Sequence, residues 1–138
     1  MILDTNIISE LMKPVPDNAV GSWVEEHADT TLFVTSVTVA EIGYGIRSLP
    51  KGKRRDSLKK AFQRTIAEAF GHNILSFDTS AAYWYGVLMG QRKETGRPLS
   101  ILDGQIASIA RAHDMDLVTR NIRDFVACGL TLINPFDK

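Results

Sequence analysis

Five short runs of apolar, largely β-branched residues recur along this chain, separated by longer amphipathic segments. Residues 1–3, 32–35, 74–77, 117–119 and 131–133 are too short for buried helices and read as strands. The segments between them read as helices with identifiable stops. The stretch 5–12 ends at Lys13-Pro14, because the residue before proline avoids helical geometry. The stretch 18–26 begins after Pro16-Asp17, and 37–48 stops before Leu49-Pro50. A long helix over 54–70 closes at Gly71, a glycine C-cap. Another covers 79–94, ending near Gly96 and Pro98, and 100–113 follows. Strands that alternate with helices demand crossover connections, so the expected fold is α/β, with a parallel sheet covered on both faces. No repeat, low-complexity tract or linker interrupts the pattern, and residues 1–138 are expected to form one domain. The charged stretch 51–55 reads as a loop inside it.

Charge and cysteine content narrow the function classes. Sixteen basic residues balance 16 acidic ones. Any contact with nucleic acid must therefore come from a local basic patch, not from a field over the whole molecule. The lone Cys128 has no internal disulfide partner, which suits a reducing compartment. The opening MILDTNIISEL lacks a basic region followed by an apolar run, and no uncharged apolar stretch approaches the roughly 18 residues that span a bilayer. A cytoplasmic protein without membrane association is the expectation.

In open parallel sheets, ligands bind outside the carboxyl ends of the strands. Asp4 follows the first strand at once, in Asp4-Thr5-Asn6. Glu41 lies early in the helix after the second strand, with Val39, Ala40, Ile42 and Tyr44 expected to crowd it. Asp103 sits near the start of its helix, where Ser100 already fills the capping role. Asn121 follows the fourth strand. Asp4 alone could simply cap the next helix. Together, three carboxylates and an amide could converge on one pocket. Buried carboxylates repel one another unless a cation lies between them, and oxygen-only donors suit Mg²⁺ or Mn²⁺ better than zinc. Such an ion activates water and neutralises charge on a phosphodiester without any nucleophilic side chain. In Thr119-Arg-Asn121-Ile-Arg-Asp124-Phe, Asn121 reads as the site residue. Asp124, three places on, reads as a capping acid that bonds back to the Asn121 N–H, and is the less favoured ligand.

The same residues resemble the PIN-domain family, and within it the VapC and FitB-like toxins of bacterial toxin–antitoxin systems. The matching pieces are Ile2-Leu-Asp4-Thr-Asn6-Ile-Ile-Ser-Glu10-Leu, Val39-Ala-Glu41 with Gly45, Leu102-Asp103 with Gln105-Ile106-Ala107, and Val118-Thr-Arg-Asn121 with Asp124-Phe. The closing Ile133-Asn-Pro135-Phe136 resembles the end of FitB-like members. The resemblance runs through nearly the whole chain in the family's order. It implies a three-layer domain whose central, mostly parallel five-stranded sheet is flanked by helices. It also implies an Mg²⁺- or Mn²⁺-dependent endoribonuclease that hydrolyses RNA in the cytoplasm. Homodimers are implied, as is inhibition by a small DNA-binding antitoxin whose C-terminal segment covers the site. Contact with DNA, and any larger hetero-oligomer, would then come through that partner. Asp4, Glu41 and Asp103 take the places of the family's metal-binding acids. Asn121 stands where many members have Asp, and Thr5, Asn6 and Thr119 are supporting polar residues.

Other features sort around this frame. The cluster Lys51, Lys53, Arg54, Arg55, Lys59, Lys60 and Arg64 reads as a solvated helix face, and Arg92, Lys93 and Arg97 are the candidates for RNA phosphates. Tyr83, Trp84 and Tyr85 are consecutive, so one side of their helix faces core and the other is open to a partner. His27, His72 and His113 share no zinc-ligand spacing with Cys128. Two alternatives stand beside the nuclease. One is a phosphoacceptor domain using Asp4 and Asp78, although Asp78-Thr-Ser also reads as a helix N-cap. The other is a PIN-fold module that only binds, inside a DNA-bound antitoxin complex.

Overall fold

The computed structural model describes residues 1–137, so the last residue of the expected domain, Lys138, lies outside the described residues. The five strands are β1 (Ile2–Leu3), β2 (Val34–Thr35), β3 (Ile74–Leu75), β4 (Leu117–Val118) and β5 (Leu132–Ile133). Each lies within its expected run and is shorter than it, because the chain turns into a helix or loop as soon as the ladder ends. β4 pairs with β1 and with β5, and β2 pairs with β3, all in parallel. A parallel bridge between Ile2 and Phe33 joins the two sets, with Leu3 N–H donating to Phe33 O and Phe33 N–H to Met1 O, both at 2.9 Å. The strand order is therefore β3-β2-β1-β4-β5, and it reverses direction between β1 and β4.

The helices are α1 (Thr5–Leu11), α2 (Asn18–Glu26), α3 (Ser36–Arg47), α4 (Lys53–Thr65), α5 (Thr79–Glu94), α6 (Ile101–Ala112) and the single turn α7 (Ile122–Phe125). The expected long helix over 54–70 changes form near its end. Residues Ile66–Phe70 make a wider π turn, closed by the Gly71 N–H on Ile66 O at 2.9 Å. Gly71 itself has φ +52°, the left-handed geometry expected of a glycine stop. α4 buries no residue fully, as a solvated basic face should.

The period-2 alternation of strand side chains divides the core. Ile2, Leu117 and Leu132 face one layer with Ala81, Leu88, Ile106 and Phe125 of α5, α6 and α7. Leu3, Val118 and Ile133 face the other, with Ile7, Trp23, Ile42 and Ile46 of α1, α2 and α3. The result is three layers, helices on both faces of a parallel sheet.

α6 packs closely on α5 at Gly104, one residue beyond Asp103. A Cβ there would stand 2.5 Å from Met89 Sδ and 3.1 Å from Tyr85 Cε2. Gly104→Val should accordingly wedge the pair apart and lower unfolding free energy by roughly 1–3 kcal/mol, read from the urea midpoint. Gly21→Ala in α2, where nothing lies within 4 Å, is the control. It should leave stability unchanged or raise it by up to about 1 kcal/mol through helix propensity. Equal effects at the two glycines would contradict this packing.

Candidate active site

Where β1 and β4 part, their carboxyl ends place Asp4 beside Thr119. Asp4 is 4% exposed and Thr119 fully buried. Asp4 both caps α1 and belongs to a wider polar cluster. Its Oδ1 accepts the Thr5 N–H at 2.8 Å, while Oδ2 accepts the Thr119 hydroxyl at 2.8 Å and the Asn6 amide at 3.3 Å. Asn6 Oδ1 in turn accepts the Arg120 N–H at 3.2 Å, and Thr119 Oγ1 accepts the Asn121 N–H at 3.0 Å. All three residues expected to support the acids therefore bond within this cluster. Thr5 also bridges two acids, because its hydroxyl donates to Glu41 Oε1 at 2.7 Å.

Burial pushes the Asp4 carboxyl up to about 6, against the lowering effect of its Thr119 and Thr5 hydrogen bonds, with the charges of Asp103 and Glu41 adding to the rise. The half-buried Asp103 is raised too. Burial dominates, a side-chain hydrogen bond from Ser100 to the carboxyl opposes it, and the charges of Asp124 and Glu41 add. The helix that carries Asp103 is capped as expected, with the Asp103 N–H on Ser100 Oγ at 3.2 Å. Asp4 from the cap of α1, Glu41 from the middle of α3 and Asp103 from the first turn of α6 thus come into electrostatic range of one another. Ala40 and Tyr44 are exposed, so Glu41 is crowded only on the side of Val39 and Ile42.

The donor set is all oxygen, acidic and mutually repelling, which suits a hard divalent cation. Among the described residues, no three His, Cys, Asp or Glu side chains form a group that could hold a metal ion as they stand. A cation that keeps several of its waters needs only one or two carboxylates, so the residues present fit that class of ion.

Several expectations change. Arg92 is 5% exposed, not a surface cation. Its Nε donates to Arg97 O at 2.6 Å, and its Nη1 donates to Asp124 O at 3.0 Å and Val126 O at 2.8 Å. A guanidinium spent on backbone carbonyls cannot reach a phosphate; it clamps the α7 segment and lowers the Asp103 pKa through its charge. Lys93 and Arg97 are exposed. The capping box over residues 121–124 does not form. Asn121 makes no side-chain cap bond, and its N–H goes to Thr119. Asp124 instead lies near enough to Asp103 to be the first of the charges that raise it. Asp78 stays outside the cluster as the N-cap of α5, accepting the Ala81 N–H at 3.0 Å, which removes the second acid that a phosphoacceptor site would need. Sequence reasoning missed Thr35 and Thr38, both fully buried behind Glu41. Their signal was a pair of threonines three apart at the start of α3, on the side that carries Glu41.

A family profile described as PIN domain matches residues 1–127. VapC ribonuclease Y4jK of Sinorhizobium fredii is 39% identical over 99% of this chain and 98% of its own length. Toxin FitB of Neisseria gonorrhoeae is 31% identical over 99% of this chain and 98% of its own. The crystal structure of FitAcB from Neisseria gonorrhoeae superposes with a TM-score of 0.89 at 31% identity, covering 99% of both chains. That of VapBC2 from Rickettsia felis bound to a DNA fragment from their promoter gives 0.82 at 26% identity, covering 96% of both.

The geometry at Asp4 carries a pH signature. Because its folded pKa of about 6 exceeds the ordinary 3.8, the folded state holds the proton more tightly. The stability this contributes is present below the unfolded pKa and is lost as pH rises through 6, an effect of roughly 3 kcal/mol. In metal-free buffer, Asp4→Asn should melt close to the parent at pH 4 and progressively above it up to pH 7. A melting difference that stays flat across that window would contradict the burial of an ionisable Asp4.

Proposed function

The chain belongs to the PIN-domain family, and we propose that it is a divalent-metal-dependent endoribonuclease acting in the cytoplasm as the toxin of a toxin–antitoxin pair. The observation that supports this reading is the mutual charge effect among Asp4, Glu41 and Asp103, with the Asp4 and Asp103 carboxyls raised by burial and by neighbouring acids. The three would hold Mg²⁺ or Mn²⁺ together with its waters. The bound ion would supply an activated water and offset charge on the phosphodiester. The chain's own part is orientation. Thr119 and Asn6 fix Asp4, Thr5 fixes Glu41, and the Ser100 cap fixes the start of α6 under Asp103. For the fourth oxygen donor, the sequence favours Asn121, while the charge coupling to Asp103 supports Asp124. Lys93 and Arg97, exposed at the end of α5, are suited to the RNA backbone. Residues 1–138 act as one domain in this reading.

The antitoxin reading has its own support. A mostly apolar groove of about 390 Å³ is lined by Met12, Lys13, Pro14, Ile46, Leu58 and the acid Glu41. An amphipathic segment with a basic side chain would fill it and neutralise the acids. DNA would be met only through that partner. The exposed Tyr83, Val87, Ile101 and Leu102 of α5 and α6 offer an apolar face for a second copy.

Cleavage of labelled RNA by the metal-stripped protein, with Mg²⁺ or Mn²⁺ restored, is the direct test. Asp103→Asn should remain folded and lose roughly 100-fold or more in rate. Parent-like cleavage by that variant would displace the site. Lack of cleavage by the parent with either ion would leave a binding module. Around the fourth donor, Asp124→Asn should weaken divalent-ion binding more than Asn121→Ala does. The opposite order returns the position to Asn121.

A further inference from the structure

We propose that Thr38, with Thr35 behind it, is a positioning residue for Glu41, acting through a one-way chain of hydroxyl protons. The inference rests on reading Glu41 as a cation ligand and adds residues that neither the sequence motif nor the acid cluster contains. Thr35 caps α3, accepting the Thr38 N–H on Oγ1 at 3.1 Å. Its hydroxyl donates to Thr38 Oγ1 at 3.3 Å, Thr38 Oγ1 lies 3.0 Å from Thr5 Oγ1, and Thr5 donates to Glu41 Oε1 at 2.7 Å. Thr35 and Thr38 are fully buried, so water cannot take either place.

Each hydroxyl has one proton, and this fixes the direction of every link. A carboxylate that binds a cation carries no proton and can only accept. The Thr5 proton is therefore committed to Glu41, Thr5 must accept from Thr38, and Thr38 must accept from Thr35. Thr35 is left accepting from a backbone N–H that cannot turn. The chain is anchored at the carboxyl end of β2 and ends on the acid, with each donor polarised by the one behind it. Thr38 and Glu41 share a face of α3 at positions i and i+3, so the link crosses only one turn before returning through α1. The effect on Glu41 is to hold Oε1 with a fixed donor, which sets the orientation in which the carboxylate meets the cation. Supporting hydrogen bonds of this kind typically alter metal affinity or activity 10–100-fold.

Two substitutions separate positioning from packing. Thr38→Val replaces the hydroxyl by a methyl at nearly constant volume, whereas Thr38→Ser keeps the hydroxyl and removes the methyl. Calorimetric binding of Mn²⁺ to the metal-stripped chain, RNA cleavage and the melting temperature are read for each. Thr38→Val should bind Mn²⁺ about 10-fold more weakly and lose a similar factor in kcat, with KM for RNA unchanged because Thr38 touches no substrate. Thr38→Ser should keep both within about twofold of the parent while melting lower, since it leaves a small void. Parent-like Mn²⁺ binding by Thr38→Val, or equal losses in the two variants, overturns the proposal. If Thr38→Val fails to fold, Thr5→Val at the half-buried near end of the chain must weaken Mn²⁺ binding at least as much, and parent-like binding there overturns it equally. Absence of Mn²⁺ binding by the parent would instead strike at the metal-site reading, and the relay would fall with it.

Discussion

One hydrogen bond joins the two halves of this molecule at the point where function is expected: the Thr119 hydroxyl on Asp4 Oδ2, between residues 115 positions apart. It forms because β1 and β4 are neighbours in the sheet, and they are neighbours because the strand order reverses between them. At such a reversal the connections leave to opposite faces, and a cleft opens that no helix fills. Asp4 stands at that reversal, capping α1 while its other oxygen is held from β4. Every other member of the polar cluster is placed relative to this pair. Asn6 and Thr5 follow Asp4 in the first turn of α1, Glu41 hangs from the Thr5 hydroxyl, and Asn121 is tied through its N–H to Thr119.

The cluster is electrostatically unbalanced, and the fold makes it so. Basic residues of the surrounding segments are directed elsewhere. Arg92 is consumed by backbone carbonyls, Arg111 stacks on Trp84 with its carbon 4.2 Å from the ring centre, and Arg120 covers Phe136 at 4.4 Å. Lys13, which lines the same groove as Glu41, is paired with Glu10 at 3.1 Å. Clustered acids without a paired cation are an energetic liability in a domain of marginal stability, and such a liability persists where something binds to relieve it. The zero net charge of the chain conceals this local excess.

What could be read in the sequence was whatever has a local signature. The five apolar runs found the strands, but their lengths were overstated, because an apolar residue beyond the last ladder bond is as well buried by a helix as by a strand. Asp4, Glu41 and Asp103 were singled out by their position after strands, and in the structure their charges act on one another. Arg92 was misread because a lone arginine on a helix gives no hint of carbonyls presented by a segment about 30 residues away. Asp124 was assigned a cap from spacing alone, and spacing could not show that the Thr119 hydroxyl would take the N–H first. Thr35 and Thr38 escaped because threonine at a helix start is ordinary. Only the arrival of Thr5 from another element turns three commonplace hydroxyls into a chain.

The parallel order has a temporal consequence. β4 and β5, which complete the central pairing of β1, are made long after β1 itself. A polypeptide still emerging from the ribosome already carries Asp4, Glu41 and Asp103, yet it lacks the strand that gives Asp4 its neighbour. Pairing between distant segments is also the slow part of folding. The contact between Asp4 and Thr119 therefore forms only after β4 has been made, and a chain that stops short of it holds the acids without that neighbour.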